Sequence, residues 1–503
     1  MCCALWCTLG SPSTSTALLT VSRTISGNST ALKIFPHREF SAIKQRRNAL
    51  ISQNLHQQYY VKLCTKLSSN HGEALNASYR YTEHNRTEHL VLEELETYSS
   101  RSRLMLFVDI DELINKTSCT LLRPLREILT TAEIWRGTET PAVYVQELYY
   151  LRALCKLVQT QGDASMHDYV SWFTVHTLAP LASPDLATMY YGSARRKAEA
   201  AKQCLRLTEQ CLGWATYQRY YARFSTMNAR KIERDVIEDI KEAQNRLVTG
   251  SSWLQTAAVG LVERLRATGV RLAVPVERDA YMDDAFSSLA VTGVGFASNW
   301  GKAARFTRHL PSATRAVVEC AFVATSEQAL FADFDAARQE VLVAPYAETL
   351  PVFDASVPHA VRYGAFGTAV AQALLEAFLE ALSERRELGS ALSGHEHCYL
   401  DLSAVYSRRE HNVATFLALE ATWAAYSALA EEQTMETRLT LLEGFTERQL
   451  FFLAHCYLCC GSSPEKAEAQ CNGPLKNSVA FATTFNCPSG SEMNPKQKCN
   501  FYG

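Results

Sequence analysis

Between Phe40 and about Leu265, apolar residues return at intervals of three and four, which commits most of the chain to amphipathic helices. The runs VYVQELYYLRALCKLVQT and ERDVIEDIKEAQNRLVTGSSWL show the period most clearly, and the second places acids early and bases late, as a helix dipole favours. The pattern breaks near 325–360. There FADFDAARQEVLVAPYAETLPVF reads as strand, turn, strand, punctuated by Pro345 and Pro351. Helix is predicted again over 366–388 and 413–432. The polar stretch NHGEALNASYRYTEHNRTEH reads as a loop. The tail from Gly461 onward is rich in Gly, Pro, Ser and Cys and reads as a cross-linked surface segment, not a helix. No internal repeat is visible. With 503 residues the chain is too long for one compact core. The pattern divides it into a poorly ordered Ser/Thr-rich segment 1–35, a helical domain 36–324 and a C-terminal domain 325–503.

Composition narrows the class. Apolar residues make up 47% and charged residues 20%, as in globular proteins, and a net charge of −2 gives no reason to expect nucleic acid as a partner. No run of about 18 apolar residues is seen, so no transmembrane span is expected in this chain. MCCALWCTLGSPSTSTALLTVS lacks a basic start and does not read as a signal peptide. There are 16 cysteines, and the CxxC at Cys456 and Cys459 has no second pair to complete a zinc ribbon. Together with Asn-x-Ser/Thr sequons at Asn28, Asn76, Asn85 and Asn115, the cysteines favour an oxidising, secretory environment.

The tail carries a resemblance. RQLFFLAHCYLCC followed by LKNSVAFATTFNCPSGSEMNPKQKCNFYG closely resembles the C-terminus of the neprilysin family, zinc endopeptidases that include the endothelin-converting enzymes (peptidase family M13). The shared residues include Gln449, Phe451, Phe452, Cys460, Asn477, Ser478, Cys487, Asn494, Lys498 and Cys499. Upstream, QQYYVKLCTKL and AKQCLRLTEQCLGWATYQRYYARF are similar to family segments, and Trp253-Leu254 falls where the family has Trp-Leu. The likeness runs from about residue 36 to the end. The family's N-terminal anchor and first cysteine-rich segment are expected to be missing from this sequence.

The resemblance implies a mainly α (α+β) fold: two mostly helical lobes around a central cavity, one of them thermolysin-like with a small sheet. It implies disulfides Cys64–Cys204 and Cys398–Cys499. Cys460 and Cys487 would pair with the missing segment, and are here free, re-paired or matched to Cys2, Cys3 or Cys7. It implies an extracellular or cell-surface location and peptides as partners.

Family catalysis needs HExxH on one helix, two zinc-binding imidazoles one turn apart and a Glu that activates water, plus a carboxylate from an ENxAD helix. RYGAFGTAVAQALLEAF aligns to that helix without a gap and keeps Tyr363, Gly364, Gly367 and Phe378. The first ligand position is Gln372, the base is Ala373 and the second ligand is Glu376. ENxAD aligns with HNVAT, which puts His411 at the carboxylate position and Thr415 at the final Asp. The substrate-gripping NAFY segment aligns with ADFD, residues 332–335, and the family's later His and Arg have no counterpart in EAQCNGPLKNS. Glu376 and His411 remain as a weak pair of metal donors. His395, Glu396 and His397 also suggest a metal, but they sit in an expected short loop with no His at the HExxH spacing, and read as coincidence. The expectation is a non-catalytic homologue, without cofactor where the family holds zinc, that binds peptides or acts as a decoy. The alternative is a zinc endopeptidase with rewired ligands.

Overall fold

A computed structural model describes residues 13–15, 18–26, 29–37, 40–67, 71–98, 106–119, 142–145, 147–217, 226–272, 279–292, 295–311, 314, 331–335, 339–383, 385, 388–402, 413–432, 439–460 and 464–503. They form two compact units, each discontinuous in sequence. Unit 1 comprises Met1–Tyr217 and Glu277–Ala329, and unit 2 comprises Gln218–Val276 and Leu330–Gly503.

The chain starts in unit 1 with strands β1 (Ser13–Ser15), β2 (Leu19–Ser26) and β3 (Ser29–Pro36), helices α1 (Phe40–Ser52), α2 (His56–Leu67) and α3 (His71–Glu96), strand β4 (Leu106–Val108), helix α4 (Ile110–Thr117) and strand β5 (Ala142–Val145). Helices α5 (Leu148–Ala182), α6 (Pro184–Tyr191) and α7 (Arg196–Leu212) complete this pass. The strands form one sheet of order β1-β2-β3-β5-β4. Over the described residues 13–15, 18–26 and 29–35 this differs from the expectation of disorder across 1–35, whose remaining residues lie outside the described ones. In β2 the apolar Leu19, Val21 and Ile25 alternate with Thr20, Ser22 and Thr24, a period-two pattern broken at Arg23 and masked by the Ser/Thr content. β2 and β3 pair antiparallel from Leu19↔Pro36 to Ser26↔Ser29. Leu18 and Ile34 are buried in a core with Val91, Leu95, Val143 and Tyr150.

Helix α3 replaces the predicted loop. Its buried positions, Thr87, Glu88, Val91, Leu92 and Leu95, keep helical spacing, but polar residues carry part of the stripe and hide it from a hydrophobic reading.

The chain then enters unit 2 with α8 (Met227–Gly250), α9 (Ala258–Ala267) and β6 (Gly269–Arg271), and returns to unit 1 with α10 (Asp279–Phe286) and α11 (Phe296–His309). Two bonds fix that return: Trp300 Nε1 donates to the Leu207 carbonyl at 3.0 Å, and Thr307 Oγ1 donates to the Cys211 carbonyl at 2.7 Å. Unit 2 resumes with β7 (Ala332–Asp335) and β8 (Glu340–Val343), near the expected strand–turn–strand, and a 3-10 turn at Pro345–Glu348. There follow α12 (His359–Arg362), a π turn (Tyr363–Gly367), α13 (Thr368–Ser383), α14 (Gly389–Leu402), α15 (Val413–Glu432), α16 (Glu447–Tyr457), α17 (Pro464–Asn477) and α18 (Val479–Thr484).

The single boundary expected at 324/325 differs from this partition. Residues Gln218–Val276 group with unit 2 because α8 and the turn after it hold the C-terminus. Gln244 Nε2 donates to Tyr502 Oη at 2.8 Å, and Trp253 Nε1 donates to the Phe501 carbonyl at 2.6 Å.

The tail is likewise more regular than expected: α17 and α18 are helices. Many residues shared with the neprilysin family support this packing. Gln449 closes a capping box with Thr446 at the start of α16. Asn477 donates from Nδ2 to the Cys499 carbonyl at 3.0 Å and accepts from its N–H at 2.7 Å. Ser478 caps α18, and Lys498 Nζ donates to the Lys476 carbonyl at 2.6 Å. Phe451 and Phe452 pack with Trp423 and Tyr426.

Among the described residues three disulfides form: Cys119–Cys155, Cys398–Cys499 and Cys456–Cys471. The second is a pairing the resemblance implies. The other implied pair is not made: Cys64 on α2 lies against Tyr60, Cys204 lies on α7, and both are free thiols. Cys460 and Cys487 are also free, and Cys2, Cys3 and Cys7 lie outside the described residues. The run His359–Ser383 is long and apolar enough to cross a membrane by length and composition, but 83% of its most apolar window is buried, as in a core helix.

Candidate functional site

The region aligned with the metal-holding helix is set by close backbone packing. The π turn before α13 brings Tyr363 Oη to donate to Asp239 Oδ2 on α8. At Gly364 a Cβ would lie 2.2 Å from the Phe451 carbonyl oxygen, so α16 can approach only a glycine. At Gly367 a Cβ would lie 3.0 Å from Thr422 Cγ2 and 3.3 Å from Ile240 Cδ1, against α15 and α8. The retained Tyr-Gly-x-x-Gly is thus accounted for by packing alone.

Helix α13 then places Gln372 and Glu376 one turn apart on one face, both half-buried. Ala373 is 1% exposed and packs in the core. On α15, Thr415 is half-buried. His411 lies outside the described residues. The donors on α13 are therefore one neutral amide and one carboxylate, with a methyl where a base would stand. Zinc sites of this class take two imidazoles from such a helix. Among the described residues no group of three or more His, Cys, Asp or Glu side chains could hold a metal ion. On α13 the residues present are not the pair of imidazoles that the family's zinc takes from such a helix.

The two secondary candidates resolve differently. His395, Glu396 and His397 lie on α14, not in a loop, so side chains two apart diverge. His395 stacks on Trp253 at 4.5 Å and tilts against Phe501 at 5.6 Å, a packing role, while His397 is exposed. Residues 332–335 form β7, the edge of the three-stranded sheet β6-β8-β7, with β7 and β8 antiparallel and β7 packed on α13.

Of the expected sequons, Asn76 and Asn85 lie on α3 and Asn115 on α4. Asn85 is half-buried and its Oδ1 accepts from Arg47 Nη2. Asn115 is exposed, but Thr117 of its sequon is buried and donates to the Leu113 carbonyl at 2.7 Å. Asn28 lies outside the described residues.

Unit 2 also buries acids that sequence reading passed over. Glu233 on α8 is raised well above the usual carboxyl range by burial and by Glu348, in the turn after β8. Burial pushes Glu420 on α15 up to about 7. A signal was present for the first: Glu233 is in phase with Ile237, Ile240 and Gln244 on the buried face of α8.

Fold and sequence converge on one family. Residues 28–259 match the N-terminal module of Peptidase family M13 and residues 407–501 match a further module of Peptidase family M13. The chain belongs to peptidase family M13, the zinc metallopeptidases. It is 22% identical over 421 residues to Neprilysin-1 of Caenorhabditis elegans, covering 71% of this chain and 54% of that protein. It is 23% identical over 421 residues to Endothelin-converting enzyme 1 of Homo sapiens, covering 72% and 53%. The chain thus spans about half the length of the curated relatives it matches. In fold it is similar to Mycobacterium tuberculosis zinc metalloprotease ZMP1 in complex with inhibitor, with a TM-score of 0.67 at 12% identity over 96% of this chain and 80% of that one. PepO from Lactobacillus rhamnosis HN001 gives 0.63 at 12% identity over 96% and 82%.

Proposed function

We propose that this chain is a non-catalytic M13 protein that binds peptides without cleaving them, outside the cell or at its surface. The observation that carries this reading is the composition of α13. Gly364 and Gly367, which packing requires, are retained, while Gln372, Ala373 and Glu376 stand at the positions of the metal ligands and the base. Strand β7 supports the peptide-binding half. It is a sheet edge beside α13, and an edge strand can pair with an extended peptide through its backbone. The disulfides support an oxidising location.

The test compares the purified chain with a variant carrying Gln372→His, Ala373→Glu, Glu376→His and His411→Glu. Metal analysis after growth with zinc should find none bound stoichiometrically to the parent and a gain in the variant. A peptide library should be bound but not cut by the parent. Stoichiometric zinc in the parent with phosphoramidon-sensitive cleavage would overturn the reading.

A further inference from the structure

Unit 1 contains a buried polar centre unrelated to α13. Glu88 on α3 is 4% exposed. Its Oε2 accepts from Arg47 Nε on α1 at 3.0 Å and meets His56 Nε2 on α2 at 3.0 Å. Its Oε1 accepts from Trp172 Nε1 on α5 at 3.0 Å. His84, one turn before Glu88, points Nε2 at the same oxygen from 3.8 Å, and that nitrogen is buried without a hydrogen-bond partner. The His84 ring stacks on Tyr60 at 4.4 Å and meets Trp172 edge-on at 4.6 Å. His176 stacks on the same indole at 5.4 Å, and His37 packs edge-on to Phe173 at 5.1 Å.

His56, His84 and Glu88 resemble a set of metal donors, but Arg47 argues against one. Its guanidinium occupies the shared oxygen and would repel a cation. The centre instead balances its charge on one carboxylate. His56 and the neighbouring histidines hold Glu88 ionised, with its pKa lowered to about 2 against the opposing effect of burial. Glu88 is the carboxylate that acts on His84 and His176, and a second buried acid of unit 1, Glu209, lies on α7 one turn from Arg206. Tyr59, Tyr60 and Cys64 face the centre from α2, Arg80 and Tyr81 from α3, and Tyr169 from α5. Tyr190 and Tyr191 lie on α6 beside Tyr59, and Arg206 on α7 acts on His37. Asp168 and Asp185 are exposed, and Glu93 and Glu96 pair with Lys44.

We propose that this centre is an acid-sensitive latch: acidification of the kind found in endosomes places cations on His84 and His176, and the packing of α1, α2 and α3 against α5 gives way while unit 2 keeps its fold. Burial lowers the pKa of His84 to about 4 and of His37 to about 3, and lowers that of His176 in the same way. A histidine depressed in the folded state contributes stability that is present above its unfolded pKa and lost as pH falls toward the folded one. For His84 alone, going from pH about 8 to about 5 shifts the opening equilibrium ~30-fold. Unit 2 is better balanced. Its buried His455, lowered to about 4, and His359, also lowered, are opposed by Glu420, Glu396 and Glu233, all raised by burial and so relieved by acid.

Hydrogen exchange on the full chain, corrected for intrinsic rates, tests the latch at pH about 7.4 and about 5. Amides of α1, α2, α3 and α5 should exchange at least about 10-fold faster at the lower pH, with α13 and α15 within about 3-fold. His84→Phe keeps the ring between Tyr60 and Trp172 but cannot take a proton. It should lower the midpoint of the acid transition by about half a pH unit or more. His176→Phe should act in the same direction and carries the test if His84→Phe does not fold at neutral pH. Unit 1 staying closed at the lower pH, both units opening together, or every folded variant keeping the parent's midpoint would each overturn the proposal.

Discussion

Glu88 in unit 1 meets Arg47, His56 and Trp172 in an almost fully buried setting, whereas Gln372 and Glu376 in unit 2 are half-buried on a helix whose buried positions are, Thr368 apart, Ala, Leu, Val and Phe. The first arrangement is structural and over-determined, because every removed partner leaves another buried group unsatisfied. The second is under-determined. The helix can hold an amide, a methyl and a carboxylate at those positions because its own fold rests on Gly364, Gly367 and the apolar face. On the function proposed above, α13 has changed its chemistry without cost to the scaffold, whereas a buried ion network cannot change one member at a time.

The largest effect should come from breaking the network. Glu88→Ala leaves Arg47 Nε and the Trp172 N–H buried without their acceptor and should cost about 3–5 kcal/mol. Gln372→Ala should stay within about 0.5 kcal/mol of the parent. Urea unfolding followed by hydrogen exchange in each unit measures both. Equal losses at the two positions would mean that the α13 face is as constrained as the Glu88 centre, and the contrast would fail.

A smaller effect separates packing from chemistry inside the site itself. Gly364→Ala drives a Cβ to 2.2 Å from a backbone oxygen of Phe451, an atom that cannot rotate away. It should cost about 2–3 kcal/mol. At Gly301 on α11 an added Cβ meets nothing within 4 Å, so Gly301→Ala should stabilise by about 0.5–1 kcal/mol through helix propensity. A neutral Gly364→Ala would show that the retained Tyr-Gly-x-x-Gly needs an explanation other than packing.

The sequence made one of these regions legible and hid the other. The helix predicted over 366–388 found α13, and the retained Tyr363, Gly364 and Gly367 mark the turn before it, because glycine and aromatic spacing there is dictated by contacts that leave no alternative. Helix α15 matches the helix predicted over 413–432. The Glu88 centre was not visible. Its stripe on α3 alternates acids, histidines and threonine with Val91, Leu92 and Leu95, and a hydrophobic count reads that as loop. The β2–β3 hairpin was missed for a related reason, since serine and threonine on one side of a strand look like a linker when composition is read without period. The path of residues 218–276 into unit 2 depends on tertiary bonds such as Gln244 to Tyr502, 258 residues apart in sequence, which local pattern cannot report.

The same contrast extends to pH. The buried histidines of unit 1 make it lose stability toward acid, while Glu233 makes unit 2 lose stability toward base. Burial first, and the adjacent Glu348 second, raise the Glu233 carboxyl in the folded chain. Unfolded, that group ionises near the ordinary value of about 4.5. Above that pH the unfolded chain releases a proton that the folded chain still holds, so the folded state loses ground as pH rises toward the folded pKa. Glu233→Gln removes the titration while keeping a neutral polar group of nearly the same shape. The variant should match the parent at pH about 5 and exceed its stability by about 1 kcal/mol or more at pH about 8. Denaturant unfolding of unit 2 at the two pH values decides the matter. A variant that loses stability equally at both would show that Glu233 is held by contacts its amide cannot replace, and that its titration does not set the pH dependence of unit 2.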